Sequence, residues 1–286
     1  MTIHPRPILL VVLLLATSAR AADAPELRVT EPPKSWNLDP FYKKCVEVDG
    51  LPIVSSEKTS DYALKEAAYL IGRMLEGRKD VIDVMVKNKV HVAVMAFSER
   101  TVDIPEHSNM KPASYWNRRA RGLGGRTTSC GEENLLGYPG DPYRAENILI
   151  HEFAHCIHSQ GLAKLDPGFN KRLKGLYDAA LAKGLWKGTY AASSVAEYWA
   201  EGVQSWFDTN RHDDGSHNHV DTREELKEYD PGLAALIAES FPNTEFRYVR
   251  PDRRKEPGHL KGYDPKTAPT FAWRPEDTGK REEPPK

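Results

Sequence analysis

The run Ile148-Leu149-Ile150-His151-Glu152-Phe153-Ala154-His155-Cys156-Ile157 decides how this chain is read. It is apolar except for His151, Glu152 and His155, which spell H-E-x-x-H. On a helix, residues four apart differ by about 40° around the axis, so both imidazoles point the same way. Two imidazoles on one face can share a tetrahedral Zn²⁺. Glu152 sits one step round, on the side where a water would bind. A carboxylate there can take the water's proton, and the metal lowers the cost of removing it. The spacing offers two ligands and a base from one turn of helix. Taken alone, the pattern also fits a polar helix face carrying two surface histidines. The choice between them turns on a third ligand further along the chain.

The chain before the motif bounds the setting. Its 286 residues suffice for one large domain or two modest ones, and 40% apolar residues can support a sizeable core. A net charge of −1 gives no global field favouring nucleic acid. Ile8–Ala16 is an apolar block too short to span a bilayer, preceded by His4 and Arg6 and followed by Ala19-Arg20-Ala21. That is the layout of a signal peptide over residues 1–21, cleaved near Ala21, with an uncleaved membrane anchor as the rival. No other segment approaches transmembrane length, so the mature protein is expected to be exported, with no membrane span. Export permits disulfides. Cys45, Cys130 and Cys156 allow one bridge in three pairings, or none, and Cys156 reads as a small buried side chain.

Periodicity gives the coarse elements. Residues 22–58 read as an N-terminal arm, Pro-rich to residue 40, then a short strand or turn around Gly50. Ser60 reads as an N-cap, and Leu64, Ala67, Ala68, Ile71, Met74 and Leu75 keep helical spacing up to Gly77. A shorter helical piece follows near 81–87. Val90–Ala96 is the clearest strand, with His91 read as a surface or satisfied sheet histidine. Residues 98–125 read as loop, and Tyr115 and Trp116 in it could wall a substrate. Arg126–Cys130 reads as a strand that Leu135-Leu136 extends, with a free edge for an extended peptide. Helices are expected from near Arg144 to near Gly161, over 168–184 and over 191–208. The polar block 210–222, with His212, His217 and His219, reads as solvated loop. A helix near 222–227 and another over 231–241 follow. From Arg250 onward seven Pro and many charges point to an extended or disordered tail, in part pinned by Phe271 and Trp273. The catalytic unit is thus 59–249, the tail 250–286, and the expected class α+β: a small mixed sheet, an active-site helix and a mainly helical C-terminal half.

The third ligand is sought in Tyr190-Ala-Ala-Ser-Ser-Val-Ala-Glu197-Tyr198-Trp199-Ala200-Glu201. Glu197 lies 42 residues after His155, an interval with room for one helix and a return. Glu197 and Glu201 are four apart and share a face with apolar neighbours. Burying two acids there is costly unless a cation compensates. Zn²⁺ does so for Glu197. Glu201, one turn on, can accept the free N–H of a ligating imidazole.

Together, H-E-F-x-H at 151–155 and Y-x(6)-E-aromatic-aromatic-A-E at 190–201 resemble the anthrax lethal factor family of zinc endopeptidases, which includes the Pro-Pro endopeptidases. The resemblance covers about 80 residues, from about 126 to 209. It implies a zincin-like domain in which His151, His155 and Glu197 hold one Zn²⁺. It further implies that Glu152 is general base and then acid, and that Tyr190 donates its hydroxyl to the developing oxyanion. His158 departs from the pattern. It shares the face of the two ligands but lacks the Gly and later His of metzincins, so it reads as a residue supporting the site or packed in the core. The resemblance carries no substrate, and the sequence sets no oligomeric state. A peptide or protein substrate is expected. A non-catalytic secreted binding protein on the same scaffold, or a zinc hydrolase of a non-peptide amide, would keep the same residues.

Overall fold

A computed structural model describes residues 27–242 and 244–278. The signal-peptide reading of residues 1–21 lies outside the described residues. The fold is α+β. Strands β1 (Lys44–Val48), β2 (Leu51–Ser55), β3 (His91–Met95), β4 (Gly122–Leu123) and β5 (Thr127–Gly131) form one sheet in the order β1-β2-β3-β5-β4. β1 and β2 make an antiparallel hairpin about Asp49-Gly50, both at positive φ, the turn chemistry that suits a two-residue connection. β2, β3 and β5 run parallel, and β4 pairs antiparallel with the outer side of β5. The hairpin is therefore part of the sheet, although residues 41–58 read as the end of an arm.

The helices are α1 (Asp61–Met74), α2 (Lys79–Lys87), α3 (Ala113–Arg119), α4 (Glu132–Leu136), α5 (Ile148–Cys156), α6 (Ala163–Leu165), α7 (Phe169–Ala182), α8 (Val195–Trp206), α9 (Arg223–Tyr229) and α10 (Pro231–Ser240). Ser60 caps α1, its hydroxyl accepting from the Tyr62 N–H. A π-turn over Ile157–Leu162 joins α5 to α6. One main core fills the space between the sheet and the helices, from Leu51 and Val92 through Phe153 to Trp199 and Ile237. A smaller cluster with Tyr42, Val54 and Met95 covers the other face. His91 is buried in the sheet and bonded to Glu106 at 3.0 Å. No helix among the described residues is long and apolar enough to cross a membrane. Cys45, Cys130 and Cys156 are all free and buried.

Several expectations change. Leu135-Leu136 do not extend a strand. They belong to α4, which buries both. Residues 98–125 are not only loop: α3 carries Tyr115 and Trp116, and β4 covers the edge that 126–130 was expected to present. Among the described residues, the outermost strand near the H-E-x-x-H helix is β4. Residues 250–278 are not a disordered tail. They cross the domain in short 3₁₀ turns, because specific side chains tie them down. Glu66, fully buried on α1, receives Arg254 at 2.7 Å and His259 at 2.6 Å. Arg250 donates to the Arg144 carbonyl at 3.1 Å. Phe271 is buried, and its N–H meets the Pro139 carbonyl at 2.8 Å.

Candidate metal centre

Helix α5 is held at its start by two asparagines. Asn147 caps it, accepting from the Ile150 N–H at 3.0 Å. The buried Asn134 accepts from the Ile148 N–H at 2.8 Å and donates to the Glu146 carbonyl at 2.9 Å. Orphan N–H groups at a helix start need such partners, and satisfying them fixes where the helix points. Behind α5 lies β5, and α8 crosses it, with the Trp199 indole N–H donating to the Ala154 carbonyl at 2.9 Å. Ser194 caps α8 by accepting from the Glu197 N–H. These contacts set α8 against α5 with Glu197 facing the two histidines.

The three expected ligands converge. His151 Nε2 lies 3.1 Å from Glu197 Oε2 and 3.2 Å from His155 Nε2, and His155 Nε2 lies 3.4 Å from the same carboxylate oxygen. Among the described residues these three make the group that could hold a metal ion. Ligands about 2.05 Å from a zinc ion at tetrahedral angles stand about 3.3 Å from one another. The observed triangle has that edge, and two imidazoles with one carboxylate are a zinc donor set. The residues fit the ion. Without a metal, burial works against charging His151. The hydrogen bond to Glu197 and the charges of Glu152, Glu201 and Glu197 outweigh it and push its pKa up to about 10. Burial would raise Glu197, but hydrogen bonds from His151 and His155 hold it well below the usual carboxylate range.

Behind the ligands stands a residue the sequence reading missed. His151 Nδ1 is 2.7 Å from Gln204 Oε1, whereas Glu201 Oε1 is 3.7 Å away. Gln204, fully buried, in turn donates to Glu146 at 3.0 Å. Gln204, three residues beyond Glu201 on α8, is thus the nearer partner of His151 Nδ1. Position alone could have raised it, since Gln204 shares a helical face with Glu197 and Glu201. Glu201 instead accepts from Asn210 at 3.1 Å and faces His217 at 3.4 Å. His217 is not a solvated loop histidine: its side chain is 6% exposed, between Glu201 and Asp214. His158 lies away from the triangle, bonded to Asn170 at 2.7 Å and packed near Phe169 and Trp199.

Two recesses meet at the triangle. One, about 590 Å³, runs along Gly122–Gly125 between Tyr115 and Trp116 of α3 and His155, Ala196 and Glu197. The other, about 220 Å³, is lined by Tyr143, Glu146, Ile148, Arg211 and His217. Arg119, Gly122, His151, Glu152 and Tyr190 border both. The edge strand comes so close to α5 that side chains are excluded. A Cβ on Gly122 would sit 2.3 Å from Ile148, and one on Gly124 2.7 Å from His155. Tyr190 follows α7 in a 3₁₀ turn, tied by its N–H to the Ser216 carbonyl at 2.7 Å. Its ring lies 6.4 Å from that of His151. Burial and the Glu197 charge push its phenol up to about 12, with Arg119 working the other way.

No family model matches the chain, and no curated protein matches it. Among solved structures it is similar to the Pro-Pro endopeptidase PPEP-2 from Paenibacillus alvei, at 16% identity and a TM-score of 0.47, over 66% of this chain and 97% of that one.

Proposed function

We propose that this chain is an exported zinc-dependent endopeptidase, with His151, His155 and Glu197 as the ligands of one Zn²⁺. The observation that carries the reading is the His151–His155–Glu197 triangle, set open to a cleft that also receives Glu152 and Tyr190. When bound, the ion supplies Lewis-acid polarisation of a scissile carbonyl and acidifies water. The protein supplies the rest. The Glu152 carboxylate takes a proton from the attacking water and passes it to the departing amine nitrogen. The Tyr190 hydroxyl donates to the oxygen on which charge grows. Strand β4 offers its unpaired edge to an extended peptide, whose backbone adds as a further strand. Gln204 keeps the His151 ring turned with Nε2 toward the cleft. Export rests on the signal-like layout of residues 1–21.

The test is a diverse peptide library incubated with purified protein and read by mass spectrometry. Wild type is expected to cut at defined positions. Glu152→Gln is expected to retain zinc and cut nothing. Full cleavage by that variant would rule out the assigned base. Zinc binding without any cleavage by wild type would favour a binding protein or an amidase acting on a non-peptide bond.

A further inference from the structure

The border between the two recesses holds a cation that the chemistry above does not use. Arg119 ends α3 and lines both recesses, alongside Gly122, His151, Glu152 and Tyr190. Arg119 and Tyr190 border the same two recesses, their side chains near enough to interact, and Tyr190 likewise neighbours Glu197 on the larger one. Among the described residues no carboxylate pairs with Arg119; the side chains around it are the phenols of Tyr190, Tyr143 and Tyr115. The second arginine of the cleft differs. Arg211 is ion-paired with Asp214 and stands 3.7 Å from Glu146. Arg119 is thus the cleft arginine whose charge is uncommitted.

Resting on the peptidase reading, we propose that Arg119 is a second transition-state donor of this site, acting beside Tyr190 on the oxygen that gains charge as the peptide carbonyl is attacked. Three features carry this. First, a guanidinium has five N–H donors, so giving one to the Tyr190 oxygen leaves others directed into the cleft. Second, an N–H donated to that oxygen polarises the phenol and strengthens its own O–H as a donor. Third, the fixed position of Arg119 is secured from behind. Its carbonyl accepts from the Tyr143 hydroxyl at 3.3 Å, and the next carbonyl, of Ala120, accepts from the buried Thr101 hydroxyl. A cation held at the place where an oxyanion forms stabilises the transition state more than the neutral substrate.

The experiment compares wild type, Arg119→Ala, Arg119→Lys and Glu152→Gln on one peptide that wild type cleaves, with zinc content measured for each. Arg119→Ala is expected to keep its zinc and to lose about 10²-fold in kcat with KM changed by less than about threefold, the size seen when one oxyanion donor is removed. Free guanidinium ion added to Arg119→Ala is expected to restore part of kcat, and Arg119→Lys to retain more than Arg119→Ala. A peptide phosphonate that mimics the tetrahedral state is expected to bind Arg119→Ala more weakly by calorimetry, while an uncleaved substrate analogue binds equally. An unchanged kcat, or a rise in KM alone, would overturn the proposal and make Arg119 a binding residue. Loss of kcat with no guanidinium rescue and equal phosphonate binding would make it structural. If wild type itself cleaves no peptide, it is the peptidase reading that fails. The phosphonate comparison then still tests Arg119.

Discussion

Replacing Gln204 by alanine tests how the ligand His151 is held. The side chain makes two contacts, accepting from His151 Nδ1 at 2.7 Å and donating to Glu146 at 3.0 Å. Without the first, His151 loses the partner that fixes its tautomer and ring angle. Loss of such an outer partner reduces metal affinity by about 10- to 100-fold. That is about 1.4–2.7 kcal/mol of binding. Glu201 Oε1, 3.7 Å from the same nitrogen, is too far to bond without moving, and it is engaged with Asn210 and His217. It cannot take over at no cost. Without the second contact, Glu146 loses a hydrogen bond in a site whose burial already raises its pKa. The fold should lose about 1–3 kcal/mol for that. Zinc affinity would be measured by competition with a chromophoric chelator, and stability by urea unfolding of the metal-free protein. Unchanged affinity in Gln204→Ala, with a large loss in Glu201→Gln, would refute the assignment and return the role to Glu201.

Two further outcomes follow from the same geometry. With the Glu197 hydrogen bond and the neighbouring carboxylates pushing its pKa up to about 10, His151 is expected to carry a proton in the metal-free protein at neutral pH, so zinc uptake should release about one proton from it. Calorimetry in buffers of different ionisation enthalpy reads that number; by the same shift, the metal-free fold holds this stability below about pH 6.5 and loses it as pH climbs through about 10. Glu66→Ala leaves Arg254 and His259 without their buried partner and should cost about 3–5 kcal/mol, with residues 250–278 released first; hydrogen exchange confined to that segment is the check, and uniform exchange would contradict it.

The sequence made the local parts of this molecule legible and left the long-range polar ones hidden. Helix α1 follows from spacing and capping because one face of it packs on the core, and strand β3 from its β-branched run, which is buried on both faces. His151, His155 and Glu197 could be nominated because ligand spacing on a helix is itself periodic. Gln204 shared that period, three residues past Glu201, but Arg119 and His217 carried no such mark. Arg119 and His217 each act through a partner far away in the chain, and a polar residue in a polar stretch carries no periodic mark. Leu135-Leu136 went to the wrong element because two adjacent apolar residues fit a short helix as well as a strand. Of the two readings of residues 250–278, disorder fails and the Phe271 anchor holds: composition counts Pro and charge, whereas the order of the segment comes from a few side chains such as Arg254, His259 and Phe271 meeting buried partners. The edge strand escaped notice because its glycines, required by the close approach to α5, look like loop.

The most direct measurement is a zinc titration of the metal-stripped protein, followed by cleavage of a peptide selected from the library. The account expects no cleavage before zinc is added, a rise that ends at one equivalent per chain, and no rise in Glu152→Gln although it binds the same equivalent. Cleavage that survives removal of the metal, or equal rates in wild type and Glu152→Gln, would contradict it.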